Sequence, residues 1–550
     1  MNFEDLLQEA GGFGKFQLLT LLLLCLPRLF LPLHFLLHNF LAAIPPHHCA
    51  ISHQNWLANF TKEEVWLISI PRDSEGVFSS CKMFSEPQFH LLVNSTQEAA
   101  DTTANITTIQ SCQHGWVYDQ SQFTSTIATQ WDLVCEQRGM NQATATFFFI
   151  GVMLGAVVFG YLSDRFGRKS MLLVSYIFTL IFGLLSAVSV TYSMLAVTRA
   201  LTGMAICGLS LIVLPLGLEW VDIHHRTISG VITSIFWSFG NMLLALIAYL
   251  VRDWRWLLFA VTLPCVVGIV SVWWLPESAR WLLTKGKLKQ AHRHLQRCAE
   301  MNGRKEFPAK INLEILRKTA ATVAQKTNEN YSYTSLFQTL MLRRISFCMG
   351  AVWFGVAFSY YGMSMNITGF GLGMYMTQFV FGIIEIPAKI IVFIVVNRAG
   401  RRQCQAWSLI LAGLSIGANI VIPKSLETLR SVVAITGKGF SEAAFTIVFL
   451  YASELYPTVL RQKGQGYCSF MARLGGSVAP LIFLLDGLWK PLPQVTYCAV
   501  AVLCGSSAFF LPETLNVQLP ETVEDTEKQS SGKKKQLRGH ISEAMPLQSL

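Results

Sequence analysis

Twelve apolar stretches of about twenty residues run along the chain, separated by polar segments. A helix of about twenty apolar residues is long enough to cross the hydrocarbon core of a bilayer. The pattern predicts spans at 16–44, 143–162, 170–190, 194–216, 227–251, 255–275, 346–366, 373–396, 404–422, 430–452, 464–486 and 490–511. The expected fold is an all-α membrane protein with twelve transmembrane helices in two six-helix halves. The halves are 16–275 and 346–511, with a polar loop at 45–140 after helix one. A short N-terminus (1–15), a basic central loop (276–345) and a charged tail (512–550) complete the chain.

Composition narrows this further. The chain is 52% hydrophobic and 14% charged, against roughly 25% charged for soluble proteins. A soluble multidomain reading of its 550 residues is excluded. Met1 to Gly14 is acidic, and the apolar run behind it is too long for a signal peptide, so that run reads as the first span.

The net charge of +10 is explained by placement. With both termini cytoplasmic, 29 of the 43 Lys and Arg fall on the cytoplasmic side, 9 outside and 5 in helices. That bias is the positive-inside rule. The partner it implies is the lipid bilayer, and no nucleic acid is expected.

The loop at 45–140 carries Cys49, Cys81, Cys112 and Cys135 and three acceptor sequons, at Asn59, Asn94 and Asn105. Cysteines and sequons clustered together predict an extracellular, glycosylated, disulfide-closed loop. Four cysteines allow three pairings.

A charged turn, Gly160-Tyr161-Leu162-Ser163-Asp164-Arg165-Phe166-Gly167-Arg168-Lys169, joins the second and third spans. Asn397-Arg398-Ala399-Gly400-Arg401-Arg402 repeats it after the eighth, with Arg168 and Arg401 233 residues apart. Glu219 and Arg226 recur as Glu454 and Arg461 at an offset of 235, and Pro276-Glu277-Ser278 as Pro512-Glu513-Thr514 at 236. A near-constant offset indicates a duplicated six-helix unit, with a substrate site near the midplane between the copies. Asp164, Arg165, Arg168, Glu219, Arg226, Arg401, Glu454 and Arg461 lie at cytoplasmic helix ends. They are expected to form a conformational latch of ion pairs holding one half to the other.

Ionisable groups inside spans are costly and mark function or pairing. Glu385/Lys389 and Lys438/Glu442 are spaced i, i+4, which suits an intrahelical pair. Arg473 has no acid within a helical turn, and an unpaired guanidinium there favours an anionic ligand. The expected substrate-binding set is Arg473 and Lys389 with the aromatic walls Tyr361, Trp237, Tyr360 and Phe354. Arg28, Arg199 and Asp486 are further charges within spans; His34 and His38 either sense pH or satisfy backbone carbonyls, and the second reading is preferred.

Several motifs together resemble solute carrier family 22 of the major facilitator superfamily. They are the charged turn, the large loop ending in Trp131-Asp132-Leu133-Val134-Cys135, Pro276-Glu277-Ser278-Ala279-Arg280-Trp281-Leu282, and Glu454-Leu455-Tyr456-Pro457-Thr458. The resemblance spans about residues 1–525. Arginine at 473 and lysine at 389 are similar to the family's organic anion branch, whereas its cation carriers have an acid at the position of Arg473. It implies a polyspecific organic anion transporter of the plasma membrane, a uniporter or an anion exchanger working by alternating access. Small organic anions, with a counter-anion for exchange, would be its ligands. The alternatives are an organic cation or zwitterion carrier of the same family, or a non-transporting receptor or adaptor. No loop offers a nucleophile–base or metal-ligand cluster, so no enzyme, cofactor or metal is expected. Nothing in the pattern specifies an oligomeric state.

Overall fold

The computed structural model describes residues 3–51, 60–73, 76–93, 108–222, 225–304, 306–307, 311–327, 332–366, 372–457, 460–515, 517, 523–524 and 526–527. Asn59, Asn94 and Asn105 and most of the tail lie outside these residues.

Among the described residues, twelve helices are long and apolar enough to cross a membrane. They are α1 (Lys15–Leu41), α2 (Cys135–Phe166), α3 (Arg168–Ala187), α4 (Tyr192–Trp220), α5 (Ile228–Leu250), α6 (Trp254–Ser271), α7 (Leu340–Met365), α8 (Met374–Ala399), α9 (Arg401–Val421), α10 (Glu427–Leu455), α11 (Lys463–Gly487) and α12 (Leu492–Phe510).

The duplication seen in sequence is reproduced in packing. In the first half α1 packs on α5, α2 on α4, and α3 on α4 and α6. In the second, α7 packs on α11, α8 on α10, and α9 on α10 and α12. The halves meet where α5 packs on α8 and α2 on α11, two contacts related by exchanging the halves. Small residues allow close approach: a side chain at Gly203 would strike the Phe148 carbonyl, and one at Gly382 would strike Met242.

The loop after α1 is held by two antiparallel ribbons. β1 (His47–Cys49) pairs with β4 (Trp116–Tyr118), and β2 (Lys82–Phe84) with β3 (Ile109–Ser111). Of the three possible pairings, the disulfides are Cys49–Cys112 and Cys81–Cys135, each joining one ribbon region to another part of the loop. Arg252 donates to the Ser121 carbonyl (3.2 Å) and Tyr375 to that of Gln122 (3.3 Å), which docks this loop over both halves. We call this the loop end of the bundle.

At the opposite end the central segment grips the N-terminus. Gly11 and Gly12 have φ of +114° and +57°, the left-handed region that glycine enters without a steric penalty. The resulting turn receives Asn302. Its amide donates to the Ala10 carbonyl (3.2 Å) and to Gln17 (2.9 Å), and it accepts from the Phe16 backbone (3.1 Å).

Candidate functional site

The two copies of the charged turn are built alike. Gly167 and Gly400 take φ of +108° and +90°, ending one helix and starting the next. The first amides of α3, at Arg168 and Lys169, both donate to Glu277 Oε1 at 3.0 Å. Those of α9, at Arg401 and Arg402, donate to the Glu513 carboxylate at 2.8 and 3.1 Å. A carboxylate over a helix N-terminus satisfies orphan N–H groups and the helix dipole together. Glu277 and Glu513 were visible in the repeat, but the sequence did not give them this capping role.

The arginines differ between copies. Arg168 pairs with Asp164 at 2.9 Å, while Arg401 pairs with Glu454 at 3.1 Å. Asn397 occupies the position of Asp164 in the second copy. Without that nearer acid, Arg401 reaches across to α10. Glu219 lies in the field of Arg168 and Arg280, Arg226 donates to the Val221 carbonyl (3.3 Å), and Arg461 begins its helix. Arg165 is exposed and stacks on Phe166. The expectation was a latch between halves. In this conformation the ion pairs of Arg168 and Arg401 join elements within one half, because each arginine has an acid closer at hand.

Contact between halves is concentrated elsewhere. At the loop end Arg138 on α2 forms a bidentate pair with Asp486 on α11. One layer deeper, Thr146 donates to the Ser477 carbonyl (3.1 Å).

At mid-depth lies a buried charge quartet. Lys438 Nζ is 3.1 Å from Glu385, and Lys389 Nζ is 3.3 Å from Glu442. All four side chains are at most 8% exposed. The intrahelical pairs suggested by spacing are therefore replaced by pairs between α8 and α10. The reason is direction: both helices run the same way, and the order Glu–Lys on one faces Lys–Glu on the other. Two complementary rungs result. Residues of α5 in the first half, with Tyr360 of α7, complete the quartet. Lys389 donates to the Ser234 carbonyl (2.8 Å) and to Ser238 (2.9 Å), and Glu385 accepts from Ser238 (3.0 Å) and Tyr360 (2.7 Å). Asn39 joins the same layer through Gln378 (2.9 Å), which donates to Asn241. Buried charges of this kind persist only when paired and fully hydrogen-bonded.

Beside the quartet runs an aromatic wall. The Trp237 indole donates to the Tyr360 hydroxyl (3.1 Å). Tyr361 meets Phe149 with ring centres 4.7 Å apart, and Phe35 lies 5.7 Å from Trp237 and 5.4 Å from Phe148. Tyr361, Trp237 and Tyr360 are thus brought together. Phe354 instead stacks on Phe358 (5.6 Å), which leans on Tyr497 of α12 (4.9 Å). The first half supplies Phe35, Phe148 and Phe149, which the sequence reading did not single out. Their only signal was membership of apolar runs.

Arg473 stands on α11 opposite α4. Its guanidinium donates to Ser469 and, across the interface, to the Cys207 sulfur at 3.3 Å, while Nε is buried without a hydrogen-bond partner among the described residues. Among the described residues no carboxylate lies within ion-pair distance of it. Arg199, about 12 Å earlier along α4 at 1.5 Å per residue, is 2% exposed and lies over the Phe148 ring at 4.6 Å. It donates to the His34 carbonyl (3.3 Å), so the backbone of His34 supplies this bond rather than its ring. Arg199, His34, His38 and Phe149 line one narrow crevice. Near the midplane Lys389 and Lys438 are each paired to a carboxylate, whereas Arg199 and Arg473 donate to neutral acceptors; Arg28, midway along α1, keeps a buried Nε without a hydrogen-bond partner among the described residues.

Comparison with known proteins agrees with this architecture. Residues 91–525 match the family model described as Sugar (and other) transporter. Solute carrier family 22 member 7 of Homo sapiens is 52% identical over 542 residues, covering 96% of this chain and 97% of that protein. The Rattus norvegicus protein of the same name is 50% identical over 535 residues, with 96% and 99% covered. Solute carrier family 22 member 6 of Danio rerio is 41% identical over 526 residues, with 96% and 94% covered. Among solved structures, the xylose transporter XylE from E. coli in a partially occluded inward-open conformation aligns with TM-score 0.56. It is 14% identical, with 90% of this chain and 98% of that chain covered, a likeness of fold.

Proposed function

The chain belongs to solute carrier family 22, a transporter family of the major facilitator superfamily, and from that premise we propose that it carries organic anions across the plasma membrane. Both termini and the central segment would lie on the cytoplasmic side, in keeping with the distribution of Lys and Arg. The single observation that carries the reading is Arg473, a guanidinium at the interface of the halves with only neutral acceptors. A carboxylate can take such a group bidentately. Lys389 and Lys438 each already hold a carboxylate, so the positive field falls to Arg473 with Arg199 behind it.

In this reading Tyr361, Trp237, Tyr360 and the first-half phenylalanines present an apolar wall to the substrate's body. Lys389 contributes by fixing α8 to α5 and α10, and Phe354 by supporting α7. Transport proceeds by alternating access, as uniport or exchange. The loop end is closed by Arg138–Asp486 and Thr146–Ser477, so outward opening requires both contacts to part. Anion exchange would use Arg473 in both directions, with the counter-anion refilling it before the halves reorient.

The test is uptake of labelled aromatic carboxylates by cells expressing Arg473→Ala or Arg473→Asp. Loss of uptake at normal surface expression is expected. Normal uptake by both variants would remove Arg473 and this reading with it. A cation or zwitterion carrier would need a carboxylate available at the midplane, whereas Glu385 and Glu442 are each paired to a lysine.

A further inference from the structure

One face of α1 carries a charge that no acid answers. Gln17, Leu21, Leu24, Arg28, Leu31 and Phe35 recur at alternating steps of four and three, which places them on one side of the helix. The other five are buried, whereas Leu18, Leu19 and Leu22 on the other side are exposed. Arg28 therefore stands on the inner face of α1, turned from lipid. Its Nε is buried, and among the described residues Arg28 has neither a hydrogen-bond acceptor nor a carboxylate partner. Its ionisable neighbour is the Cys25 thiol, one turn back. Arg199 and Arg473 at least donate to neutral acceptors. An ionisable group inside a span is costly and persists for a partner or a function.

The depth of Arg28 can be read against Arg473, because α1 and α11 touch the same two rings. Phe35 of α1 meets Phe149 and Tyr361 with ring centres 5.8 and 6.2 Å apart. Gly476 of α11 lies against those rings too, since a side chain there would come within 3.2 Å of both. The two helices also run the same way. Near the start of α1 Gln17 is held by Asn302, and near the end of α11 Asp486 is held by Arg138 at the loop end. Arg473 lies three residues before Gly476, and Arg28 seven before Phe35. At a rise of 1.5 Å per residue they stand about 4.5 and 10.5 Å from the rings, on the same side, and so about 6 Å apart in depth. Water alone would solvate one guanidinium. It would not account for two without an acid, one from each half, stepped below the same aromatic wall.

We propose that Arg28 is the second anion contact of the carrier site, holding one acidic group of an organic dianion whose other group is held by Arg473. A guanidinium takes a carboxylate bidentately. A rigid ring with an acidic group at each end suits the step in depth, and the aromatic wall suits its body. Arg28 is then the residue that selects two-headed anions over one-headed ones. The inference rests on the anion-carrier reading of Arg473 and adds a specificity group to it.

The experiment measures binding of radiolabelled benzoate and terephthalate, one and two carboxylates on the same ring, to the purified full-length protein in nanodiscs at pH 7.4. The unmodified protein is expected to bind terephthalate about tenfold more tightly or better. Arg28→Gln should remove that preference, and Arg28→Lys, which keeps the charge, should hold the ratio within about threefold. Both anions are read on one preparation, so the ratio does not depend on how much protein folds. A purely structural role predicts a lower thermal midpoint in Arg28→Gln. Removal of an uncompensated charge should instead leave the midpoint unchanged or raise it. The proposal is overturned by an unmodified protein that does not prefer terephthalate, by a ratio that Arg28→Gln leaves unchanged, or by one that falls only together with the midpoint. Benzoate binding unaffected by Arg473→Ala would strike the carrier reading of Arg473, whereas those three results strike Arg28 alone.

Discussion

Lys389 Nζ lies 3.3 Å from Glu442 on the neighbouring helix, although Glu385 stands one turn away on its own. Both groups are almost completely buried, so removing one leaves the other charged without compensation, at a cost of about 3–5 kcal/mol. Lys389→Ala is expected to lower the thermal midpoint and surface expression sharply. Lys389→Ala/Glu442→Ala should recover most of both, and Lys389→Ala/Glu385→Ala should not. Recovery in the second pair instead would mean that the intrahelical partner governs.

Arg138 and Asp486 join the halves at the loop end, with side chains 35% and 39% exposed. An exposed pair contributes only about 0–1 kcal/mol, so Asp486→Ala should leave folding intact. Its position makes it a point of control for opening. Cross-linking Arg138→Cys to Asp486→Cys with a bifunctional methanethiosulfonate is expected to abolish uptake, and dithiothreitol should restore it. Undiminished uptake in the cross-linked double variant would show that the loop end need not open there.

Glu277 and Glu513 each satisfy two backbone N–H groups at the start of a helix. Replacement by Ala should cost about 1–2 kcal/mol each, the range seen for lost helix caps. Asp164→Asn copies the second turn into the first and neutralises a side chain that is 57% exposed. It should cost less than either cap. Thermal unfolding in detergent, followed by fluorescence-detected chromatography, ranks the three, and an Asp164→Asn effect larger than both caps contradicts the assignment.

Cys298 is buried where the central segment grips the N-terminus, near Gln17 and the Ala10 carbonyl. Burial pushes its thiol up to about 12, against a smaller opposing effect from Gln17. The thiolate is the reactive form, so Cys298 should resist maleimide at pH 7.5 in the folded protein. Asn302→Ala, which loosens the grip, should expose it to labelling detectable by mass spectrometry. Rapid labelling of the unmodified site would show that the N-terminus is not docked in solution.

Hydropathy and spacing determined much of this protein. Apolar length set twelve helices, because crossing a bilayer imposes a minimum run. The near-constant offset of Arg168/Arg401 and Glu277/Glu513 revealed the duplication, because two copies of one fold retain the same turns. The isolation of Arg473 was also legible, since no acid stood within a turn of it. The partners of each charge were not. Glu385, Lys389, Lys438 and Glu442 had a plausible local pairing, and only the parallel packing of α8 on α10 replaced it with two rungs between helices. The reversed order of the charges on the two helices was the available clue, but it acquires meaning only once their relative direction and depth are known. The same holds for Cys49–Cys112 among three pairings and for the arginines that pair within a half. Periodicity reports what each helix is. Which faces meet is decided by packing across distant parts of the chain.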